Sequence, residues 1–477
     1  MADHRPLDDR ADLAEQLQLL NQLRYSDEPM RCEGKKYYHD NGDANAALRV
    51  LDTIALVLTT GKPGEVFAAA FDRSQSVTLV LAKNDPVIQE DVQAVHELIT
   101  TITASTTESA YDVLPFLFSR CRENIERRIR KLIAAVDILL GSLDEILESY
   151  TPSHPPDKEF PNSEDYRRYK YPNGEPPFKE MACRLFKDLR AAGVGVDFED
   201  IEETSANFMR LWYAASIILN SGLLRSLRKD DKYFQLEPQV EKLRRRLLKV
   251  FNYNQGIDNL IMHAKRFFPN GMKHRWVDPI TAGTGETTLE LTANHMDAIS
   301  RACGDSFAQR DLEILDSEGP DMQDKWSSNR NVQTRLHVEI RLLLHLSDPF
   351  SPMDEPMPIG CSRRTCLCCA LWIKAYNWEF RTKWLTSGSN GKPYVDWALP
   401  GCSYAHARME DGQSVVDNAV LDQVSGRLQE KLDLMLPIND DFWAPLLRDD
   451  YPDKAFQAWV NETCARAFQG SGSSSAL

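Results

Sequence analysis

RLHVEIRLLL at residues 335–344 and MPIGCSRRTCLCCALWIKAYNWEF at residues 357–380 decide how the rest of the chain is read. His337 and Glu339 form an H-x-E pair, and Val338, Leu342, Leu343 and Leu346 supply the buried stripe of a helix beginning beside them. Pro356, Pro358, Ile359 and Gly360 then lead through a short strand into the cysteines. Cys366 and Cys369 open a second helix, with Leu371, Ile373, Tyr376 and Phe380 as its packing residues. Residues three apart share a helix face, so both thiols can bind one metal ion, and a helix N-terminus stabilises the thiolate that ligates. His337 supplies a third ligand from the facing helix. Three protein ligands leave one tetrahedral position for water, as in a catalytic rather than a structural site. Glu339 stands roughly 200° around the helix from His337. It reaches the same site only if both residues lie at the helix end, where it would be a base and not a ligand.

Either dipeptide spacing alone is common. The specific feature is the order: H-x-E opening a helix, a strand, then C-x-x-C opening the next helix. IGCSRRTCLCC (359–369) followed by TSGSNGKPYVDWALPG (386–401) resembles the mostly fungal, OTT-type branch of the cytidine deaminase-like superfamily. There a Cys-Ser-basic-basic segment precedes the C-x-x-C pair and a Gly-Ser-x-Gly-Lys turn follows. The resemblance implies an α/β fold, a three-layer α/β/α core around a mixed sheet, here with a large all-α elaboration. It implies Zn2+ held by His337, Cys366 and Cys369, with Glu339 as the proton shuttle. The activity implied is zinc-dependent hydrolytic deamination of a cytosine- or adenine-type base in a nucleotide, nucleoside or nucleic acid. Two departures stand out: Thr365 replaces the proline common before the first metal cysteine, and Asn390 occupies a turn position where many relatives carry His. The similarity spans only about residues 331–400.

A further site residue follows from the same resemblance. In relatives an Asn just after the second strand contacts the base, and Asn84 matches it. By their own chemistry, Arg363 and Arg364 read as holders of a substrate phosphate or as plain surface charge. Asn390 and Lys392 lie in a strong turn signal that reads first as a structural turn and second as a substrate-loop contact. Cys368 reads as a packing thiol. Cys361 either lines the pocket or adds a fourth ligand, which would close the site and make it structural. The rival function is a catalytically inactive, zinc-stabilised scaffold or interaction module; a retained Glu339 counts against it.

Outward from this core, residues 1–43 read as a loosely ordered polar segment, with Asp40, Asn41 and Asp43 in a surface turn. Leu48, Leu51, Ile54, Ala55 and Leu58 predict a helix over 44–60, and 65–71 with 76–82 predict a hairpin. Residues 44–85 are expected to supply the first helix and hairpin of the deaminase sheet. Residues 86–325 are then a helical insertion, an idea that strand 76–82 pairing outside the sheet of Ile359 would discard. Within it, Ile125, Ile129, Leu132, Val136, Leu139, Leu143 and Ile146 form a seam that suits a core helix better than a dimer zipper. Seven prolines make 151–178 an irregular crossing, and further helices are expected near 180–192, 197–228, 235–253 and 256–267. Basic clusters at Arg127–Lys131, Arg225–Lys229 and Lys242–Lys249 read first as solvated faces. The motif region is 326–405, a helical segment 406–469, and GSGSSSAL (470–477) a flexible tail.

Composition narrows the function classes. Fifty-six Lys+Arg against 71 Asp+Glu give a net charge of −15, which disfavours nucleic acid as the main partner without excluding local basic faces. No apolar run is long enough to span a membrane, and MADHRPLDDRADLAEQL carries no secretory pattern. Four of the ten cysteines fall within 361–369, which points to metal chemistry in a reducing, intracellular compartment, cytoplasmic or nuclear.

Overall fold

The computed structural model describes residues 5–27, 42–74, 76–172, 174, 176–268, 271–277, 287–303, 313–314, 322–347, 355–400, 409–410 and 413–436. Helix α1 (Arg5–Gln22) is followed by α2 (Gly42–Leu58) and a hairpin of β1 (Phe67–Asp72) and β2 (Thr78–Lys83). The helical region that follows has α3 (Gln89–Thr103), α4 (Leu114–Leu140), α5 (Phe178–Val194), α6 (Ile201–Asn220), α7 (Gly222–Lys229) and α8 (Glu237–Phe267) as its longer members. Next come β3 (Lys273–Trp276), β4 (Thr287–Glu290), α9 (His295–Cys303), α10 (Met322–Ser328) and β5 (Asn331–Thr334). The motif elements are α11 (Val338–Leu346), β6 (Met357–Cys361), α12 (Leu367–Phe380) and β7 (Trp384–Leu385), and α13 (Val415–Asp433) follows. Asp40, Asn41, residues 437–469 of the expected helical segment, and the tail 470–477 lie outside the described residues.

The fold is mixed α/β and mostly helical, built on a five-stranded mixed sheet of order β3-β2-β1-β6-β7. β1 pairs antiparallel with β2 (Ala69↔Leu81) and, on its other edge, with β6 (Ala69↔Gly360); β3 lies parallel to β2 and β7 parallel to β6. The strands before and after the helical region therefore belong to one sheet. β3, which that region contributes, extends it.

Strand alternation gives the sheet two buried faces. Phe67, Ala69, Phe71, Leu79 and Leu81 join one core with α2 and the helical region. Ala68, Ala70, Val80, Ala82 and Ile359 join a second core with α1, α11, α12 and α13. The seven seam residues from Ile125 to Ile146 are all buried within the first core, inside this chain. A buried ion cluster adds to that junction: Lys83 of β2 lies 2.8 Å from Asp91 of α3 and 3.5 Å from Glu65, and Arg120 of α4 also binds Asp91.

The N-terminal segment departs from the expectation of a loosely ordered stretch. Residues 5–22 are helical, and Leu13, Leu17 and Leu20 are buried at 1% exposure or less. These leucines recur at i, i+4 and i+7 on one helix face, a stripe diluted in the sequence by the Asp, Glu and Gln between them. The face packs against α13.

Helix α2 lies directly on β6. A Cβ on Gly360 would sit 2.1 Å from the Leu51 carbonyl carbon and 2.2 Å from the Asp52 nitrogen. At this close approach the Asp52 carboxylate accepts the Cys361 N–H at 2.8 Å and faces the Ser387 hydroxyl at 3.4 Å. Burial pushes the Asp52 carboxyl up to about 7, against those two hydrogen bonds. A carboxyl raised on folding holds its proton more tightly in the native state. Its stabilising contribution is therefore complete below about pH 4 and is lost as pH rises toward about 7. Asp52→Asn keeps the acceptor and removes the titration. Relative to wild type it should be nearly neutral at pH 4.5 and stabilising by on the order of 2 kcal/mol at pH 8. Urea unfolding at the two pH values checks this; a pH-independent difference would contradict it.

Candidate metal centre

Two helix N-termini meet at the site. His337 is the N-cap of α11 in extended conformation (φ −67°, ψ 150°), so Glu339 falls in the first turn. Cys366 is the N-cap of α12, and its Sγ accepts the Cys369 N–H at 3.3 Å. The loop after β7 holds that cap in place. Thr365 N–H donates to the Gly388 carbonyl, Asn390 N–H donates to the Thr365 carbonyl, and the Ser389 hydroxyl lies 3.2 Å from the carbonyls of both Thr365 and Cys366.

His337 Nδ1 lies 3.6 Å from Cys366 Sγ and 3.4 Å from Cys369 Sγ. Tetrahedral zinc with Zn–S of about 2.3 Å and Zn–N of about 2.05 Å separates S from N by about 3.6 Å. The three donor atoms thus already stand at metal-ligand spacing, and they form the His/Cys cluster capable of holding a metal ion among the described residues. Cys361 and Cys368 are not part of that cluster. Both are buried, and burial raises their thiols well above the usual range. Among the described residues three donors, not four, stand together.

The electrostatics favour a thiolate at Cys366 beside a protonated His337. A metal ion would have to displace the protons of His337 and of Cys369; burial and the Cys366 charge hold the Cys369 thiol well above the usual range. Burial alone would raise the Cys366 thiol, but the Cys369 and His337 hydrogen bonds and the imidazolium charge bring it down to about 5. Burial likewise opposes charge on His337, yet the Cys366 thiolate and Asp396 hold it up at about 10. Glu339 is 4% exposed, and burial raises its carboxyl above the ordinary carboxylate range.

A small cavity opens over these groups, about 90 Å³ in volume, lined by Asn84, Glu339, Arg363, Arg364 and Tyr394 among others. Asn84 donates from Nδ2 to the Gly64 carbonyl at 3.4 Å, while its Oδ1 is buried with no partner. Asn390 and Lys392 are not among the lining residues. Asn390 caps its own turn, accepting the Lys392 N–H at 2.9 Å and donating to the Tyr394 hydroxyl at 3.4 Å. The exposed side chain of Lys392 stands outside the cavity.

Two residues escaped the motif reading. Asp396 Oδ1 faces His337 Nε2 at 3.8 Å, and its Oδ2 accepts from Arg335 Nε at 3.1 Å. Arg335 reaches Asp85 on its other side at 3.6 Å. Trp397, fully buried, donates its indole N–H to Cys369 Sγ at 3.3 Å. The neighbouring segment 394–398 is anchored to the strand end, with Arg335 N–H donating to the Asp396 carbonyl and Ala398 N–H to the Arg335 carbonyl. The available signal was an acid beside a Trp in the otherwise apolar run YVDWALP.

Residues 336–401 match the family model of the OTT_1508-like deaminases, a deaminase-like family. Neither the comparison with curated proteins nor that with solved structures gives a significant match. The matched stretch begins beside His337 and ends past Trp397, so it contains the ligand triad, Glu339 and both supporting residues. Among the described residues no helix is long and apolar enough to cross a membrane.

Proposed function

We propose that the protein is a zinc-dependent hydrolytic deaminase of a nucleobase, with His337, Cys366 and Cys369 as the metal ligands and Glu339 as the proton shuttle. The observation that carries this reading is the convergence of one Nδ1 and two Sγ atoms at a spacing that suits one tetrahedral ion, with a buried carboxyl in the same cavity. The family match over 336–401 supports it independently. A zinc ion bound there would lower the pKa of a coordinated water from 15.7 to about 7, supplying hydroxide at neutral pH.

The protein's own groups do the rest. Glu339, raised by burial, takes a proton from the attacking water and delivers it to the ring nitrogen of the amidine. It then carries the second proton to the leaving amine. One water is consumed, the C–NH2 bond breaks, ammonia departs, and a carbonyl replaces the amidine carbon–nitrogen bond. Asn84 Oδ1, buried and unpartnered, offers an acceptor to an N–H on the base. Arg363 and Arg364, exposed and lining the cavity, would receive a substrate phosphate. Asp396 orients the imidazole so that Nδ1 points at the thiolates, and Trp397 fixes one lone pair of Cys369.

Ammonia release from a panel of bases, nucleosides, nucleotides and oligonucleotides, with the zinc-loaded protein, tests the reading. Zinc at about one equivalent without ammonia from any member would discard it in favour of a structural module. A separate expectation concerns the supporting carboxylate. Asp396→Asn should weaken zinc binding by about 10–100-fold in competition with a chromophoric chelator, with the far-ultraviolet circular dichroism unchanged. Undiminished affinity would remove Asp396 from the site.

A further inference from the structure

Two of the basic clusters read from the sequence become one surface in the fold. Helices α4 and α8 pack side by side, and Arg128 of α4 donates from Nη1 to the Lys249 carbonyl of α8 at 3.1 Å. Its guanidinium lies 4.9 Å from the ring of Tyr253, which holds it in the groove between the helices. Lys131 follows Arg128 one helical turn later, and Lys242 with Arg246, and Arg245 with Lys249, stand four apart on α8. Lys131, Lys242, Arg245 and Lys249 are exposed. The acids alongside have other partners, Glu126 with Arg122 at 2.9 Å and Glu241 with Arg228 and Arg244. Among the described residues no ion pair engages Arg128, Lys131, Arg245, Arg246 or Lys249. Burial first, and then the charges of Arg128, Arg246, Lys131 and Arg245, hold the Lys249 ammonium below its usual range. Like charges gathered without a counter-ion, in a protein of net charge −15, await an anion.

A short run of chain links α4 to the candidate active site. Arg127, beside Arg128, donates to the Gly61 carbonyl at 2.7 Å. Gly61 is seated on α4 so tightly that a Cβ would lie 2.8 Å from the Asn124 nitrogen, and its φ is +110°. Three residues on, Gly64 lines the metal-site cavity, as does Val66. From Lys242 to Lys249 the row runs about 10 Å along the helix. That is about three phosphates of a strand rising 3.4 Å per nucleotide. A single mononucleotide phosphate would engage only part of such a row.

We propose that the α4–α8 face binds the phosphate backbone of a single-stranded nucleic acid, one base of which enters the cavity beside Gly64. This deepens the deaminase reading and rests on it for the fate of that base, but the backbone contact stands on the surface alone. The face has no exposed aromatic row, so binding is through charge and is indifferent to sequence.

The test is binding of fluorescein-labelled 15-nucleotide DNA and RNA to the full chain over a series of salt concentrations. Each neutralised phosphate contributes about 0.7 to the slope of log affinity against log salt. Five cations therefore predict a slope of about −3.5, and the triple variant Lys131→Gln, Arg245→Gln, Lys249→Gln should be shallower by about 2. Its affinity should fall about tenfold or more at 0.1 M salt, with the unfolding midpoint held at the wild-type value. The corresponding triple Glu variant should bind more weakly still. Equal slopes and affinities for wild type and both variants overturn the proposal, as does displacement by poly-glutamate of matched charge as readily as by oligonucleotide. Preference between the DNA and RNA arms identifies the strand. Failure here is distinct from failure of the deaminase reading. A panel yielding no ammonia removes the activity while the salt slope still decides the face.

Discussion

Glu339→Gln should retain zinc at about one equivalent and lose turnover by about 10²–10⁴-fold, the usual contribution of a positioned general acid–base. Gln is nearly isosteric, so the first turn of α11 and the His337 cap should persist. It cannot accept a proton from water or return one to the leaving amine. The loss should fall on kcat far more than on KM, because the carboxyl acts on protons in flight rather than on the resting base. The buried setting sharpens the expectation. At 4% exposure, and with burial raising its carboxyl, Glu339 has no bulk water at hand to take over the relay. Zinc content by atomic absorption and ammonia release, measured together, check it. Full activity in the zinc-replete variant would assign the proton transfers elsewhere.

Gly360→Ala is the largest expected effect on stability. The added methyl would stand 2.1 Å from a backbone carbon and 2.2 Å from a backbone nitrogen of α2, neither of which can rotate away as a side chain does. β6 is an interior strand, paired with β1 on one side and β7 on the other, so it cannot retreat without breaking a ladder. Overpacking usually costs about 1–3 kcal/mol. A clash confined to two backbones should reach or exceed the top of that range. The damage should also reach the site, since β6 leads through only residues 362–365 into Cys366. Thermal unfolding and zinc stoichiometry read the two consequences. A variant with wild-type midpoint would show that α2 does not seat on β6 as described.

The cluster of His337, Cys366 and Cys369 was legible because its parts are local in kind. H-x-E and C-x-x-C each place their side chains by helix geometry, and only their meeting required the fold. The helix of residues 42–58 and the hairpin were legible for the same reason, through periods of 3.6 and 2 in their apolar residues. Strand β3 was not: KHRW alternates no apolar residue with a polar one and owes its extension to pairing with β2. Helix α1 hid three buried leucines among charges. Asp396 and Trp397 lie in a loop without periodicity, and their function depends on what stands across from them rather than on their neighbours in sequence. The cationic face was visible as two separate runs more than a hundred residues apart, Arg127–Lys131 and Lys242–Lys249. No spacing rule joins them, and the packing of α4 on α8 does.

The pairing of Ala68 with Cys361 has a consequence for how the molecule is made. During synthesis the β1–β2 hairpin emerges almost three hundred residues before the strand that covers its free edge. The intervening helices, rich in local contacts, can collapse around α2 early, whereas the central ladder must wait. Until β6 arrives, Ala68–Ala70 present an open, apolar border of the kind chaperones occupy. On the proposed function, metal capture would then be among the last events of folding, because the histidine and both cysteines follow this border in the order of translation. Starvation for the ion during expression should leave a helical body with an unfinished seam, prone to aggregate through that one strand.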